Sequence, residues 1–192
     1  MVMRGRSPLL VCAVAPVIMC FGAVTGCSSG PSGGSGSAPP AARPADVGSI
    51  TPCDFFTGDE LSEYALHDAR PVSDPPGCLW EGSVFFEGAS TALTLTLLPR
   101  SADAELRTLR TASGERITER SAIGGRRIWR NTTPGNDVRC ELLFSIDGSS
   151  AAVVRLSEFL GVSDVRPTQQ DLCDGLDKLA PRVEGKLPAV RS

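Results

Sequence analysis

The chain has 192 residues, long enough for one domain with attachments, and its 19 basic and 22 acidic residues give a net charge of −3. That slightly acidic balance excludes nucleic acid as a partner, and a single histidine leaves little room for metal or triad chemistry.

Arg4 and Arg6 open the chain as a positive n-region, and an apolar run follows from Leu9 to Val24, broken by Pro16. Its 16 residues fall short of the roughly 20 that span a bilayer as a stable helix, so residues 1–26 read as an export signal. The run ends in Val24-Thr25-Gly26-Cys27, a lipobox. Small residues let the backbone enter a protease cleft, and the Cys27 thiol is the group there that accepts a diacylglycerol thioether. Cys20, behind bulky Met19, fits this chemistry less well. Two or three acyl chains on Cys27, worth about 0.8 kcal/mol per buried methylene, would anchor the mature protein stably. The expected location is the outer face of the cytoplasmic membrane. Loss of Arg4 and Arg6 leaves 17 basic against 22 acidic residues, a mature net charge of −5.

Ser28 to Ser49 is rich in Ser, Gly, Pro and Ala and forms, with Cys27, a flexible tether over 27–49 whose root-mean-square reach is about 25 Å. Gly30-Pro31-Ser32-Gly33-Gly34 matches a hydrolase nucleophile elbow in letters alone, because no strand precedes it and no helix follows.

The domain is expected over 50–192. Thr57-Gly58-Asp59-Glu60 is a capping box, with Phe56 and Leu61 placed to form a hydrophobic staple, and predicts a short helix to about Leu66. Pro71, Pro75, Pro76 and Gly77 predict an irregular loop before Cys78-Leu79-Trp80. Leu93, Leu95 and Leu97 alternate with Thr94 and Thr96, the period of a half-buried strand that Pro99 ends. Ser101 caps a second helix carrying Leu106 and Leu109. Strand-like segments follow at about 116–121, 126–131, 138–146 and 151–158, with Asp147-Gly148 as a turn before the last. A final helix opens at Pro167-Thr168 and runs to about Val183, with Leu172, Leu176, Leu179 and Val183 as its apolar stripe. The order of elements predicts an α+β domain, an antiparallel sheet with helices packed mainly on one face.

Four cysteines fall in the domain: Cys53, Cys78, Cys140 and Cys173. An even number in an exported domain argues for two disulfides, and no pair lies within the short spacing that zinc requires. Four cysteines allow three pairings. Cys140 shares a strand face with Leu142, Phe144 and Ile146, and Cys173 borders the stripe of the last helix. Packing that helix on that face brings the two thiols together, which predicts Cys140–Cys173 and leaves Cys53–Cys78. Each bridge closes a loop worth about 3.5 kcal/mol by chain entropy.

No catalytic set emerges. His67, the one imidazole, sits just past the first helix, where a polar or cationic side chain suits the helix C-terminus. A hydrolase would have to use His67 with a nucleophile, or scattered carboxylates brought together in space. Asp54, Glu60, Glu81 and Glu141 read instead as caps and solvated faces. No phosphate-binding glycine loop is present, so no cofactor is expected. Arg126-Arg127-Ile128-Trp129-Arg130 is the local cluster of interest. On a strand, Arg126, Ile128 and Arg130 share one face and Arg127 and Trp129 the other. Arg126, Arg127, Trp129 and Arg130 form a candidate site for an anionic headgroup or envelope polymer. The competing reading is an exposed strand whose Arg stems cover apolar surface while their heads stay wet.

The lipobox, the tether, Thr51-Pro52-Cys53-Asp54-Phe55-Phe56-Thr57, Gly77-Cys78-Leu79-Trp80, Ser121-Ala122-Ile123-Gly124-Gly125 and the late Cys140 and Cys173 together resemble an actinobacterial lipoprotein family of unknown function, domain of unknown function 3558. The likeness runs from about Ile50 to Val183. It departs at Gly125-Arg126, where an acidic residue and an alanine are more usual in that family. The resemblance implies a cell-envelope location and no established activity. By looser analogy the fold is similar to the compact α+β sandwiches of the PsbP and Mog1 type, which host binding. The expected function is a non-catalytic binding or accessory module, engaging an envelope protein or a small apolar or lipid ligand. The alternatives are an envelope hydrolase and a structural or sensory accessory of a membrane complex.

Overall fold

The computed structural model describes residues 47–112, 115–133, 138–159 and 164–189. The stretch expected from sequence to be a signal segment, Cys27 and most of the stretch expected to be a tether lie outside them. Contacts divide the chain after Ala41. The unit Ala42–Ser192 holds the whole described core and both disulfides, which is what a domain needs to fold by itself.

Three helices, α1 (Gly58–Glu63), α2 (Ala102–Thr111) and α3 (Gln169–Lys186), accompany seven strands. The strands are β1 (Leu66–Ser73), β2 (Pro76–Gly82), β3 (Thr91–Leu98), β4 (Arg116–Ile123), β5 (Arg126–Thr132), β6 (Arg139–Ser145) and β7 (Ala151–Glu158). They form one antiparallel sheet in the order β1-β2-β3-β7-β6-β5-β4, the α+β class expected. Two meanders, β1 to β3 and β4 to β7, join where β3 pairs with β7. The chain from β3 reaches the far edge through α2, whose Ala102 and Leu106 pack on Trp129 and Leu143, on the sheet face opposite α3.

Local chemistry sets the helix starts. The Thr57 amide donates to Glu60 Oε2 at 2.8 Å and the Glu60 amide to Thr57 Oγ1 at 3.4 Å, the reciprocal capping box. Thr168 and Asp171 repeat it at α3, and Ser101 Oγ accepts from the Ala104 amide at α2. Phe56 packs into the core against Phe55, Tyr64 and Trp80, and Leu61 of α1 packs on the same core.

Two sequence expectations change here. The first helix ends at Glu63, and residues 66–73 are an edge strand instead of a loop. An edge strand tolerates Pro71, which has no amide to give, because its outer side needs no ladder bond. His67 consequently lies on β1 and not at a helix terminus. Val47–Ser49, placed by sequence in the tether, form a 3₁₀ turn, and Val47 packs against the core.

The hairpin turns follow two mechanisms. Gly124 and Gly125 both have positive φ, 57° and 79°, as a two-residue β4–β5 turn that follows the sheet twist requires. Between β6 and β7, Asp147 Oδ1 closes the turn instead, accepting from the Ser149 amide at 2.7 Å and the Ser150 hydroxyl at 2.7 Å.

The main core lies between the sheet and α3. Trp80, Leu93, Leu95, Leu142, Phe144 and Leu156 from the sheet meet Leu172, Leu176, Leu179 and Val183 from α3. Cys140–Cys173 joins β6 to α3 and Cys53–Cys78 joins the N-terminal turn to β2, with Cα separations of 5.2 and 5.0 Å. The opposite sheet face carries a smaller cluster of Leu98, Ala102, Leu106, Trp129, Leu143 and Ala151 beneath α2. α2 has only ten residues, and the rest of that face stays open.

Candidate functional site

The open part of the sheet face forms a groove of about 470 Å³ beside α2. Strand alternation decides which side chains line it. Leu79, Thr94, Thr96, Val153 and Leu143 fall on this face because Cys78, Leu93, Leu95, Val154 and Leu142 fall on the other. Pairing in register puts Leu79 beside Thr94, and Val153 beside both Thr96 and Leu143. Val72, 37% exposed, and Leu109 of α2 extend the apolar strip at the rim.

One end of the groove is polar and buried. Asn131 of β5 and Glu141 of β6 are cross-strand partners, 2% and 5% exposed. Asn131 Nδ2 donates to Glu141 Oε2 at 2.7 Å, and Arg155 Nε donates to Glu141 Oε1 at 2.5 Å. Arg139 Nε lies 3.9 Å from the same Oε1, while its Nη2 pairs with Glu115 at 3.1 Å. Arg100 at the rim pairs with Glu105 at 2.5 Å. Each groove arginine thus has a carboxylate partner. Asn131 Oδ1, by contrast, is buried with no partner among the described residues. Such an arrangement can hold a molecule against an apolar strip and orient it at one polar end. Glu141 therefore stands at the floor of a cleft, not on a solvated face as its sequence context suggested. Glu60 is the cap it was expected to be, and is further bound by Lys186.

The arginine cluster around Trp129 is spent on the fold. The face assignment holds, but β5 is not exposed. Arg126 is 1% exposed, and its Nη1 and Nη2 donate to the carbonyls of Ser145 and Pro188, each at 2.6 Å. Burial pulls its guanidinium below the ordinary arginine value, and the Glu184 carboxylate 3.7 Å away offsets part of that. Arg130 and Arg120 both bind Asp177 of α3. Burial pushes the Asp177 carboxyl up, against the pull of Arg120. Trp129 is buried under α2, with Arg127 stacked 4.5 Å from its ring centre. A headgroup finds neither Arg126 nor Trp129 accessible.

His67 and Glu81 pair across β1 and β2 at a cleft of about 290 Å³ that also includes Ser83 and Ser90. The His67 ring is exposed and bonds Asp68 at 2.8 Å; among the described residues no serine hydroxyl bonds to it. Another cleft of about 470 Å³ opens where Val47 and Ile50 meet Leu97 and Asp147, at the end of the sheet. Among the described residues its lining includes no buried unpartnered side-chain polar atom, so the groove beside α2 has the better means of orienting a ligand. Among the described residues no cluster of three potential metal ligands forms, and no helix is long and apolar enough to cross a membrane.

The groove left a trace in the sequence. Thr94 and Thr96 break an otherwise apolar strand, and Glu141 interrupts the apolar run of β6, where a polar residue needs a reason. A family model described as "Protein of unknown function (DUF3558)" matches residues 22–186. No curated protein and no solved structure matches.

Proposed function

The chain belongs to the DUF3558 family, and from that premise we propose that it is a lipid-anchored cell-envelope protein whose domain binds a small, largely apolar ligand without catalysis. The observation that carries this reading is the groove beside α2, an uncovered apolar strip ending in the buried Asn131–Glu141 pair. Its volume lies in the ordinary range of small-molecule sites, about 300–1,000 Å³. The groove's two buried carboxylates are both engaged, Glu141 at each oxygen by Asn131 and Arg155 and Glu105 by Arg100, which favours binding over acid–base work. The anchor rests on the lipobox at Cys27. A tether of some two dozen residues lets the domain meet ligand clear of the headgroups.

The test is native mass spectrometry of the chain from Ser28 onward, secreted and oxidised, beside its Thr94→Trp variant. Thr94 is half-exposed at mid-groove, and an aromatic side chain there occupies the space while suiting a strand. A reproducible non-covalent adduct on the parent, lost from the variant, is the expected result. A bare parent mass, or an adduct indifferent to Thr94→Trp, overturns the reading. A bare mass shifts weight to a protein partner, to be sought by crosslinking in intact cells.

A further inference from the structure

We infer that the groove selects neutral ligands that present a hydrogen-bond donor, an amide N–H or a hydroxyl, beside an apolar body, and that Asn131 is the residue that reads the donor. The inference rests on the groove being the ligand site.

The chemistry starts at Glu141. A carboxylate only accepts, so the amide end that faces it must be the NH₂ of Asn131, as the 2.7 Å Nδ2 to Oε2 bond shows. Turning the amide over would set oxygen against oxygen. Glu141 is itself held by Arg155, at 2.5 Å, which removes its freedom to rotate away. The Asn131 amide is therefore locked in one orientation, with Oδ1 directed away from Glu141. That oxygen is buried, has no partner among the described residues and belongs to a residue lining the groove. A buried acceptor left unpaired is costly, and a donor arriving with a ligand removes the cost.

Charge narrows the class further. Arg139 and Arg155 are each paired with a carboxylate, so a cationic donor finds no uncompensated anion there. An anion finds Arg100, Arg139 and Arg155 each already paired with a carboxylate. A neutral donor meets neither obstacle. Oδ1 lies below the surface, so the donor reaches it when a groove wall turns aside.

Octanamide and methyl octanoate test this, since they share an apolar body and differ in having or lacking N–H donors. Each is titrated into the chain from Ser28 onward, isotopically labelled, with methyl resonances of Leu79, Leu109 and Val153 as the readout. The expected result is that both move these resonances and octanamide binds at least tenfold more tightly, about 1.4 kcal/mol. In Asn131→Leu, which keeps the volume and removes the acceptor, the two affinities should fall within twofold. Equal binding by the parent overturns donor selection while leaving the groove as a ligand site. Tenfold selectivity that survives Asn131→Leu overturns the assignment to Asn131. Failure of both probes to move the groove resonances overturns the inference and the reading it rests on. The parent comparison needs no variant, so a poorly folding Asn131→Leu would not remove the test.

Discussion

Replacing Arg126 with alanine removes a guanidinium that ties three parts of the domain together. Its two 2.6 Å bonds reach the carbonyl of Ser145, at the end of β6, and that of Pro188, just past α3, while Glu184 of α3 lies beside Nε. Hydrogen bonds from a charged donor contribute about 1.5–3 kcal/mol each. Breaking such a buried pair by deleting one partner costs about 3–5 kcal/mol, which is the magnitude expected here. Arg126→Met keeps most of the volume and avoids the desolvation cost of a buried cation, leaving the two carbonyls unpaired. It should lose about half as much. Urea unfolding of the chain from Ser28 onward, followed by the buried Trp80 and Trp129, measures both variants. Unchanged m-values would show that the unfolded states are comparable. Limited proteolysis should also cut the alanine variant earlier beyond Leu187, where the Pro188 latch is lost. A loss below about 1 kcal/mol for Arg126→Ala, with m unchanged, would refute the claim that this arginine serves the fold.

Other outcomes follow from the same geometry. Gly124→Ala places a side chain at φ +57° and sets its Cβ against the Glu184 carboxylate, so thermal melting should show a loss of at least about 1–2 kcal/mol. Thr168→Ala removes the cap of α3 and should cost about 1 kcal/mol in the same assay. Burial works to raise the Glu60 pKa, but the hydrogen bonds from Lys186 and Thr57 outweigh it and hold the carboxyl below the ordinary glutamate value. A depressed folded pKa contributes stability above the unfolded value of about 4.3 and loses it as pH falls through the folded one. Melting curves from about pH 6 to about pH 2 should therefore show a shallower acid decline for Lys186→Met than for the parent. The double change of Cys140 and Cys173 to serine should cost about 2–4 kcal/mol in urea, since it frees α3 from β6.

The helix starts were legible in sequence because a cap is a local device: Thr57 with Glu60, Ser101, and Thr168 each act within three residues of themselves. The disulfide pairing was legible because two periodicities, of strand β6 and helix α3, each placed a cysteine on the inward side. The strand over 66–73 was not, since Pro71 within it and Pro75 and Pro76 just after it signal a loop wherever the strand's place in the sheet is unknown, and an edge position is a fact of tertiary structure. The groove was half legible. Thr94 and Thr96 announce a face that is not core, but nothing local says that α2 is too short to cover it. Glu141 looked like a solvated residue because its burial depends on Asn131 and Arg155, which arrive from other strands. Arg126 misled for the same reason: its partners lie 19 and 62 residues away in the chain.

The strand order bears on how the chain is made as well as how it stands. β3 sits in the middle of the finished sheet, but its inner neighbour is β7, the last strand to be synthesised. Until Ala151–Glu158 emerges, the leucine-rich segment Thr91–Leu98 has one whole edge of amides and carbonyls unmatched. The β1–β3 meander then has a sticky flank, a feature of species that aggregate or recruit a chaperone. β4 to β7 form a meander of neighbours and can assemble quickly, so the slow step is the meeting of two preformed halves along a single seam. Substitutions that weaken the β3–β7 seam should therefore reduce yield in the cell out of proportion to their effect on the purified protein.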